Sequence, residues 1–332
     1  MGSSYLRRRE FITLLGGAAA AYPLAAQAQQ PPMPVIGVLV AESRDTTTPR
    51  FRAFHQGLSE SGYAEGRNVA IESRSVDGEP DRWPALAADL VARQVTVIAS
   101  LAGISSARAA KAATTTIPIV VQGGFDPVEL GIVASLSRPG GNITGVSTLN
   151  TELGPKRLEL LHELVPAATV VALLVNPTNP NAEMQSRGMQ AAARAFGLQV
   201  NIVNAATERD FDAVFARLRE LGAGGLVISN SAPFNGRSDQ LGALVARHAV
   251  PTVFQSHEFA AAGGLVSYGA STADAWRLAG VYTGRVLKGD KPADLPVQQV
   301  AKVEMIINLK TAKALGITIP LPLIGRADEV IE

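Results

Sequence analysis

Short runs of β-branched and aliphatic residues alternate with longer amphipathic stretches from residue 35 almost to the end of the chain. Residues 35–40, 69–72, 95–98 and 117–121 are short runs rich in β-branched and aliphatic residues, which predicts strands buried on both faces in a parallel sheet. Between them, Phe51, Phe54 and Leu58 share one helix face and Gly62 suits the helix end. Pro84 stands near a second helix start, with Leu86, Leu90 and Val91 behind it. A second series follows, with strands predicted at 170–175, 200–203, 225–228, 252–254 and 265–268. Helices over about 155–165, 181–196, 208–220 and 237–248 separate them. Thr207, with Asp210 three residues on, reads as a capping box ahead of an apolar stripe of Phe211, Val214, Phe215 and Leu218. Two βα series of similar size predict an α/β chain of two doubly wound parallel-sheet lobes.

The stretch Pro139-Gly140-Gly141-Asn142-Ile143-Thr144-Gly145 permits unusual dihedrals and is the expected joint. The first lobe then covers 33–147 plus a returning segment of about 271–296, which begins with a helix to about 287. The second lobe covers 148–270. Residues 297–332 supply a strand (about 298–308) and a helix (310–315, with Asn308 before it and Gly316 after it), and the pattern leaves open which lobe holds them. Ligands of open parallel sheets sit outside the carboxyl ends of the strands. Two lobes facing each other make a cleft that closes on a small molecule by hinge motion.

The first residues have a different character. Arg7-Arg8-Arg9-Glu10-Phe11-Ile12 precedes a run of apolar and small residues that ends in Ala26-Gln27-Ala28, the three parts of an export signal over 1–28, cleaved after about Ala28. The doubled arginine with Phe two residues on resembles a twin-arginine signal. An Ala- and Gly-rich run of about 15 residues is too short for the roughly 30 Å of bilayer hydrocarbon. The mature chain is therefore expected free in the periplasm, without a membrane anchor.

Composition removes several chemistries. Thirty Lys and Arg face 29 Asp and Glu, so there is no basic excess to carry nucleic acid. With no Cys, a disulfide scaffold, a Cys–zinc site and a thiol nucleophile are excluded. The four His, at 55, 162, 248 and 257, have no metal-ligand spacing, so no metal is assigned. Phosphate-loop, zinc-helix and dinucleotide motifs are missing from the sequence, and no cofactor is expected.

Several stretches resemble the ABC-transporter substrate-binding family related to tryptophan- and tyrosine-binding proteins. They include Val35-Ile36-Gly37-Val38, Thr114-Thr115-Thr116-Ile117-Pro118-Ile119-Val120 and Asp126-Pro127-Val128-Glu129-Leu130-Gly131. Arg138 to Ser147, Lys156-Arg157-Leu158-Glu159-Leu160-Leu161, Asn176-Pro177-Thr178-Asn179-Pro180 and Ile307 to Gly316 continue the likeness over nearly all of the mature chain. The resemblance implies a type I periplasmic-binding-protein fold joined by a multi-strand hinge. It also implies a monomer that captures a small organic ligand, an amino acid or small carboxylate, for an ABC permease and its ATPase. Many relatives place a small hydroxyl or Gly and then Pro after the third strand, where this chain has Ile104-Ser105.

Position supplies the candidate ligand contacts. Ser105 and Ser106 open a helix after a strand, where hydroxyls, free N–H groups and the helix dipole suit a carboxylate, although a plain helix cap accounts for them equally. Asp126 ends the fourth strand beside Phe125; an Asp-Pro helix start competes with an ammonium contact for the former, and core packing competes with ring stacking for the latter. Asn176 and Asn179, Asn230, Glu258, and Glu42 with Ser43 occupy equivalent rim positions after other strands, and Tyr268 stands at the second expected crossing. Two rivals remain. Gly103-Ile104-Ser105-Ser106-Ala107 approximates a serine-hydrolase elbow, with Asp212 or Asp239 and then His248 or His257 in the required order. A ligand sensor for a signalling partner would share the two-lobe fold.

Overall fold

The computed structural model describes residues 33–42, 48–300 and 302–332. The export signal (1–28) and Ser43 lie outside the described residues. Two sheets organise the chain. In the first, the order is β11-β5-β4-β3-β1-β2, built from β1 (Val35–Val40), β2 (Ala70–Ser75), β3 (Val97–Ser100), β4 (Ile119–Gly123), β5 (Ile143–Ser147) and β11 (Gln298–Gln299). All of its pairings are parallel.

Period-two alternation sends this sheet's side chains into two separate cores. Leu39, Ile98, Ile119 and Val121 pack on α2 (Trp83–Ala92) and α3 (Ile104–Ala113), through Leu90, Ala107 and Ala110. Ile36, Val38 and Val40 point the other way, onto α1 (Thr48–Glu60) and the returning helix α10 (Thr272–Leu287). Gly37 leaves room on the α2 face, because a methyl there would stand 2.9 Å from Leu90 Cδ1. Glycines also decide where α10 docks. A methyl on Gly57 would stand 2.8 Å from the Arg277 carbonyl carbon, and one on Gly280 would stand 2.9 Å from Leu58 N. The two helices therefore touch backbone to backbone, closer than any side chain permits.

The second sheet has the order β13-β12-β10-β9-β8-β6-β7. It contains β6 (Val170–Val175), β7 (Gln199–Asn204), β8 (Leu226–Ile228), β9 (Thr252–Phe254), β10 (Val266–Ala270), β12 (Val303–Asn308) and β13 (Glu329–Ile331). Val171, Leu173 and Val175 face α4 (Gly154–Leu164) and α5 (Ala182–Ala195), while Ala172 and Leu174 face α6 (Phe211–Glu220) and α8 (Ser238–Arg247). The sheet is not wholly parallel: β12 runs antiparallel to β10, with Tyr268 opposite Met305. Short helices α7 (Ala232–Gly236), α9 (His257–Ala261), α11 (Leu309–Ala314) and α12 (Leu321–Ile324) complete it. Thr207 and Asp210 form the reciprocal cap expected of them.

The chain passes between the sheets three times: after β5, at Ser271 between β10 and α10, and between β11 and β12. Two expectations change here. The Pro139–Gly145 stretch is not a crossing but the approach to β5, inside the first sheet. Its glycines answer to local geometry: Gly140 and Gly141 have φ of +69° and +67°, and a methyl on Gly145 would stand 2.7 Å from Val121 N. The single strand expected over 298–308 is two strands in different sheets, because an apolar period reports exposure and not the identity of the pairing partner.

Candidate functional site

A cleft of about 390 Å³ opens where the carboxyl ends of both sheets converge. The first lobe contributes Glu42 after β1, the turn Gly103–Ser105 after β3 and Gln122–Phe125 at the end of β4. The second contributes Asn176, Asn179 and Asn181 after β6, Asn230 and Ser231 after β8, and Gln255 after β9. This volume falls within the usual range for small-molecule sites, roughly 300–1,000 Å³.

The lobes are bonded to each other across this space. Asn230 Nδ2 donates to the carbonyl of Gly124, 2.9 Å away on the first lobe. Arg50 donates through Nη2 to the carbonyl of Asn235. Arg237 Nη1 lies 3.4 Å from Glu42 Oε2, and Gly236 fits against the same carboxylate, 2.5 Å from where its Cβ would stand. At the hinge, Arg157 is wholly buried, and burial pushes its guanidinium down to about 9, so it keeps its charge at neutral pH. It donates to Tyr268 O at 2.8 Å, Asn150 O at 3.0 Å and Asn150 Oδ1 at 3.1 Å. Asn150 Oδ1 also accepts from Ala270 N at 3.0 Å, so these two residues stitch the first crossing to the second.

Residues 35–331 match the model of the ABC transporter substrate binding protein family. The chain belongs to that family. Over 271 residues it is 27% identical to the tyrosine-binding protein of Clostridioides difficile, covering 80% of this chain and 75% of that one. Among solved structures, it resembles an ABC domain in complex with L-Trp from Streptococcus pneumonia, with 25% identity, TM-score 0.80, and coverage of 90% of this chain and 99% of that one. A conserved domain protein from Vibrio cholerae superposes with TM-score 0.81 at 23% identity, covering 90% and 99%, and shares the fold. The architecture is the type I periplasmic-binding-protein fold.

In this substrate-binding protein, six of the expected contact residues line the cleft: Glu42, Ser105, Phe125, Asn176, Asn179 and Asn230. Ser105 stands one residue inside the α3 start, and the N-cap position belongs to Gly103, whose φ of +76° suits glycine. Phe125 is 3% exposed, with its ring against Gly123, so it serves the core and the cleft wall together. Asn176 Oδ1 accepts from Thr178 N at 2.9 Å, and Asn179 Nδ2 donates to Asn230 O at 2.8 Å. These asparagines tie the loops after β6 and β8 together.

Four expected residues lie elsewhere. Ser106 is buried against β3, its Oγ 2.7 Å from Ser100 Oγ and donating to Gly103 O at 3.0 Å. Asp126 turns away to cap its own segment, accepting from Val128 N at 2.7 Å and Glu129 N at 3.1 Å. Glu258 sits in the first turn of α9, beside His257, which bonds Glu329 at 3.1 Å. Tyr268 is inside β10 and packs against the second-lobe core. Local hydrogen bonding turns Ser106 and Asp126 off the rim, and strand phase turns Tyr268.

The cleft also holds residues that spacing did not mark. Both tryptophans, Trp83 at the α2 start and Trp276 in α10, line it. Gln255 directly follows β9, the same position relative to its strand as Asn176 after β6. No rule of periodicity separates Trp276 from the core residues around it. The hydrolase arrangement is not assembled: among the described residues no His lines the cleft. His248 stacks on Phe215 at 4.9 Å.

Proposed function

We propose that this chain is the exported solute-binding component of an ABC importer. It captures one amino acid or small carboxylate between its lobes and delivers it to a permease driven by a separate ATPase. The single observation that carries this reading is a cleft enclosed from both sides by the carboxyl ends of two parallel sheets, with hydrogen bonds joining the lobes across it. Contacts from both lobes favour the closed form, and only such differential affinity shifts an open–closed equilibrium. The turn at the start of α3 presents backbone N–H groups to a carboxylate, and the neutral amides opposite serve a polar headgroup. Trp83, Trp276 and Phe125 give the wall an aromatic character suited to a ring-bearing amino acid. The ligands of two relatives, tyrosine and L-Trp, point the same way. The subunit itself makes and breaks no bond. Residues 1–28 serve as its export signal, of twin-arginine type, and the mature monomer works in the periplasm.

The test is a thermal-shift screen of amino acids, aromatic acids and sugars. A ligand at about 100 times its Kd stabilises the native state by about 2.7 kcal/mol, which raises Tm by several degrees. A rise with one or a few amino acids is expected. No response to any amino acid or carboxylate, or turnover of one, would overturn the reading.

A further inference from the structure

Two buried oxygens in the cleft lack what they need. Gln255 Oε1 and Asn181 Oδ1 have no hydrogen-bond partner among the described residues. Their residues are 4% and 2% exposed, and both line the cleft. Each is an acceptor. Leaving such an atom unsatisfied costs the full desolvation of the group, which is recovered only when a donor arrives.

The orientation of Gln255 follows from its neighbours. The Gly124 carbonyl on the first lobe can only accept, and it receives both the Thr151 hydroxyl and Asn230 Nδ2. Asn230 must therefore present its nitrogen to Gly124 and its Oδ1 to the opposite side. That oxygen accepts from Gln255 Nε2 at 2.7 Å and from Asn235 Nδ2 at 3.3 Å. Gln255 Nε2 also meets Asn235 Oδ1 at 2.5 Å, so both of its donors are used and Oε1 is left without a partner, buried in a residue that lines the cleft. A backbone carbonyl, which cannot flip, thus fixes a chain of three amides. Glycine is required at its head, since a methyl on Gly124 would stand 3.0 Å from Asn150 Cβ and closer still to Asn230 Nδ2.

We propose that Gln255 is a specificity-determining residue that accepts a hydrogen bond from an N–H or O–H of the ligand, held in that orientation by an amide relay from Gly124. The inference rests on the solute-binding reading of the cleft and names the ligand chemistry that its second lobe selects. Because the relay spans the lobes, it is complete only when they meet. Apart, Asn230 Nδ2 loses Gly124 and keeps only the Thr151 hydroxyl, which can donate or accept, so no fixed carbonyl sets which way the relay amides face. A ligand donor is therefore worth more in the closed form, which couples recognition to closure. A solute bearing acceptors alone leaves Gln255 Oε1 unpaired and is rejected.

Calorimetric titration tests this with L-tyrosine and L-tryptophan, and with tyrosine analogues lacking one donor each: L-phenylalanine without the phenol hydroxyl, and 3-(4-hydroxyphenyl)propionate without the ammonium. For whichever amino acid binds, deleting the donor that meets Gln255 is expected to weaken wild type about tenfold or more, and to make little difference in Gln255→Met. Equal penalties in wild type and variant for every deleted donor would overturn the proposal. If neither amino acid binds, the aromatic amino-acid reading fails on its own, and the relay is judged in the ligand-free protein by the solvent exchange of the Gln255 side-chain amide in 15N spectra. Slow exchange in wild type that becomes fast in Gly124→Ala supports the relay. Fast exchange in wild type, or slow exchange in both, overturns it.

Discussion

Alanine at two helical glycines should have opposite effects, and the difference isolates the docking of α10. Gly57 lies in α1 where a methyl would meet backbone of α10: the carbonyl carbon of Arg277 and the amide nitrogen of Val281, both at 2.8 Å, with Arg277 O closer still. Neither helix can yield locally, because the opposing atoms are main chain, so the two must separate and forfeit contacts along their shared length. Overpacking of this kind costs about 3 kcal/mol, at the upper end of the usual range. Gly188 lies in α5 with nothing within 4 Å of the added methyl. There the substitution gains helix propensity of about 0.8–1 kcal/mol. At about 2 °C per kcal/mol for a chain of this size, Gly57→Ala should lower Tm by about 6 °C and Gly188→Ala should raise it by about 2 °C. Scanning calorimetry with circular dichroism reads both. The Gly57 variant should also perturb Trp276 fluorescence, since that residue lines the cleft from α10. Equal Tm changes in the two variants would refute a backbone-to-backbone contact between α1 and α10.

The other expectations concern the hinge, the cap and the rim. Arg157→Met removes the donors to Asn150 O and Tyr268 O, and the loss, offset in part by the desolvation it relieves, should cost about 2 kcal/mol. Urea unfolding measures that cost, and faster hydrogen exchange at Ala270 N should accompany it. Asp210 takes N–H bonds from Thr207 and Ala206, and the Thr207 bond above all holds its carboxyl below the ordinary value. A depressed carboxyl contributes stability above its unfolded pKa and loses it as pH falls through the folded one. Asp210→Asn should therefore cost about 1 kcal/mol at pH 7 and progressively less below about pH 4, read by thermal denaturation at pH 7 and pH 3. Arg237→Ala removes one cross-cleft contact of Glu42, and the ligand-free radius of gyration in small-angle scattering should rise. An unchanged profile would dismiss that clasp.

Much of this was legible along the chain, for identifiable reasons. The central strands β1, β3, β4, β6, β8 and β9 are marked by short apolar runs buried on both faces, a signal that needs no partner to be read. Asn176, Asn179 and Asn230 lie in the loops just after β6 and β8, and the carboxyl-end rule places them on the cleft. Ser106, Asp126, Glu258 and Tyr268 satisfied comparable positional rules and point elsewhere. A rule about position stops at the backbone, whereas direction depends on what each side chain bonds locally. Gln255 shows the converse: its place after β9 was readable, but its unpaired oxygen exists only because Gly124, 131 positions earlier in numbering, fixes Asn230.

The amino-acid order by itself determined the alternation of strands and helices, the two series and the Thr207–Asp210 cap, all set by contacts within a few residues or by burial alone. Only the tertiary structure decided that 298–308 divides between two sheets, that β12 runs antiparallel, and that the Pro139–Gly145 glycines shape a strand entrance instead of a crossing. It also decided which amide oxygen of the cleft wall is left without a partner. Those outcomes depend on which distant group arrives to pair, and pairing across the fold leaves no period in the chain.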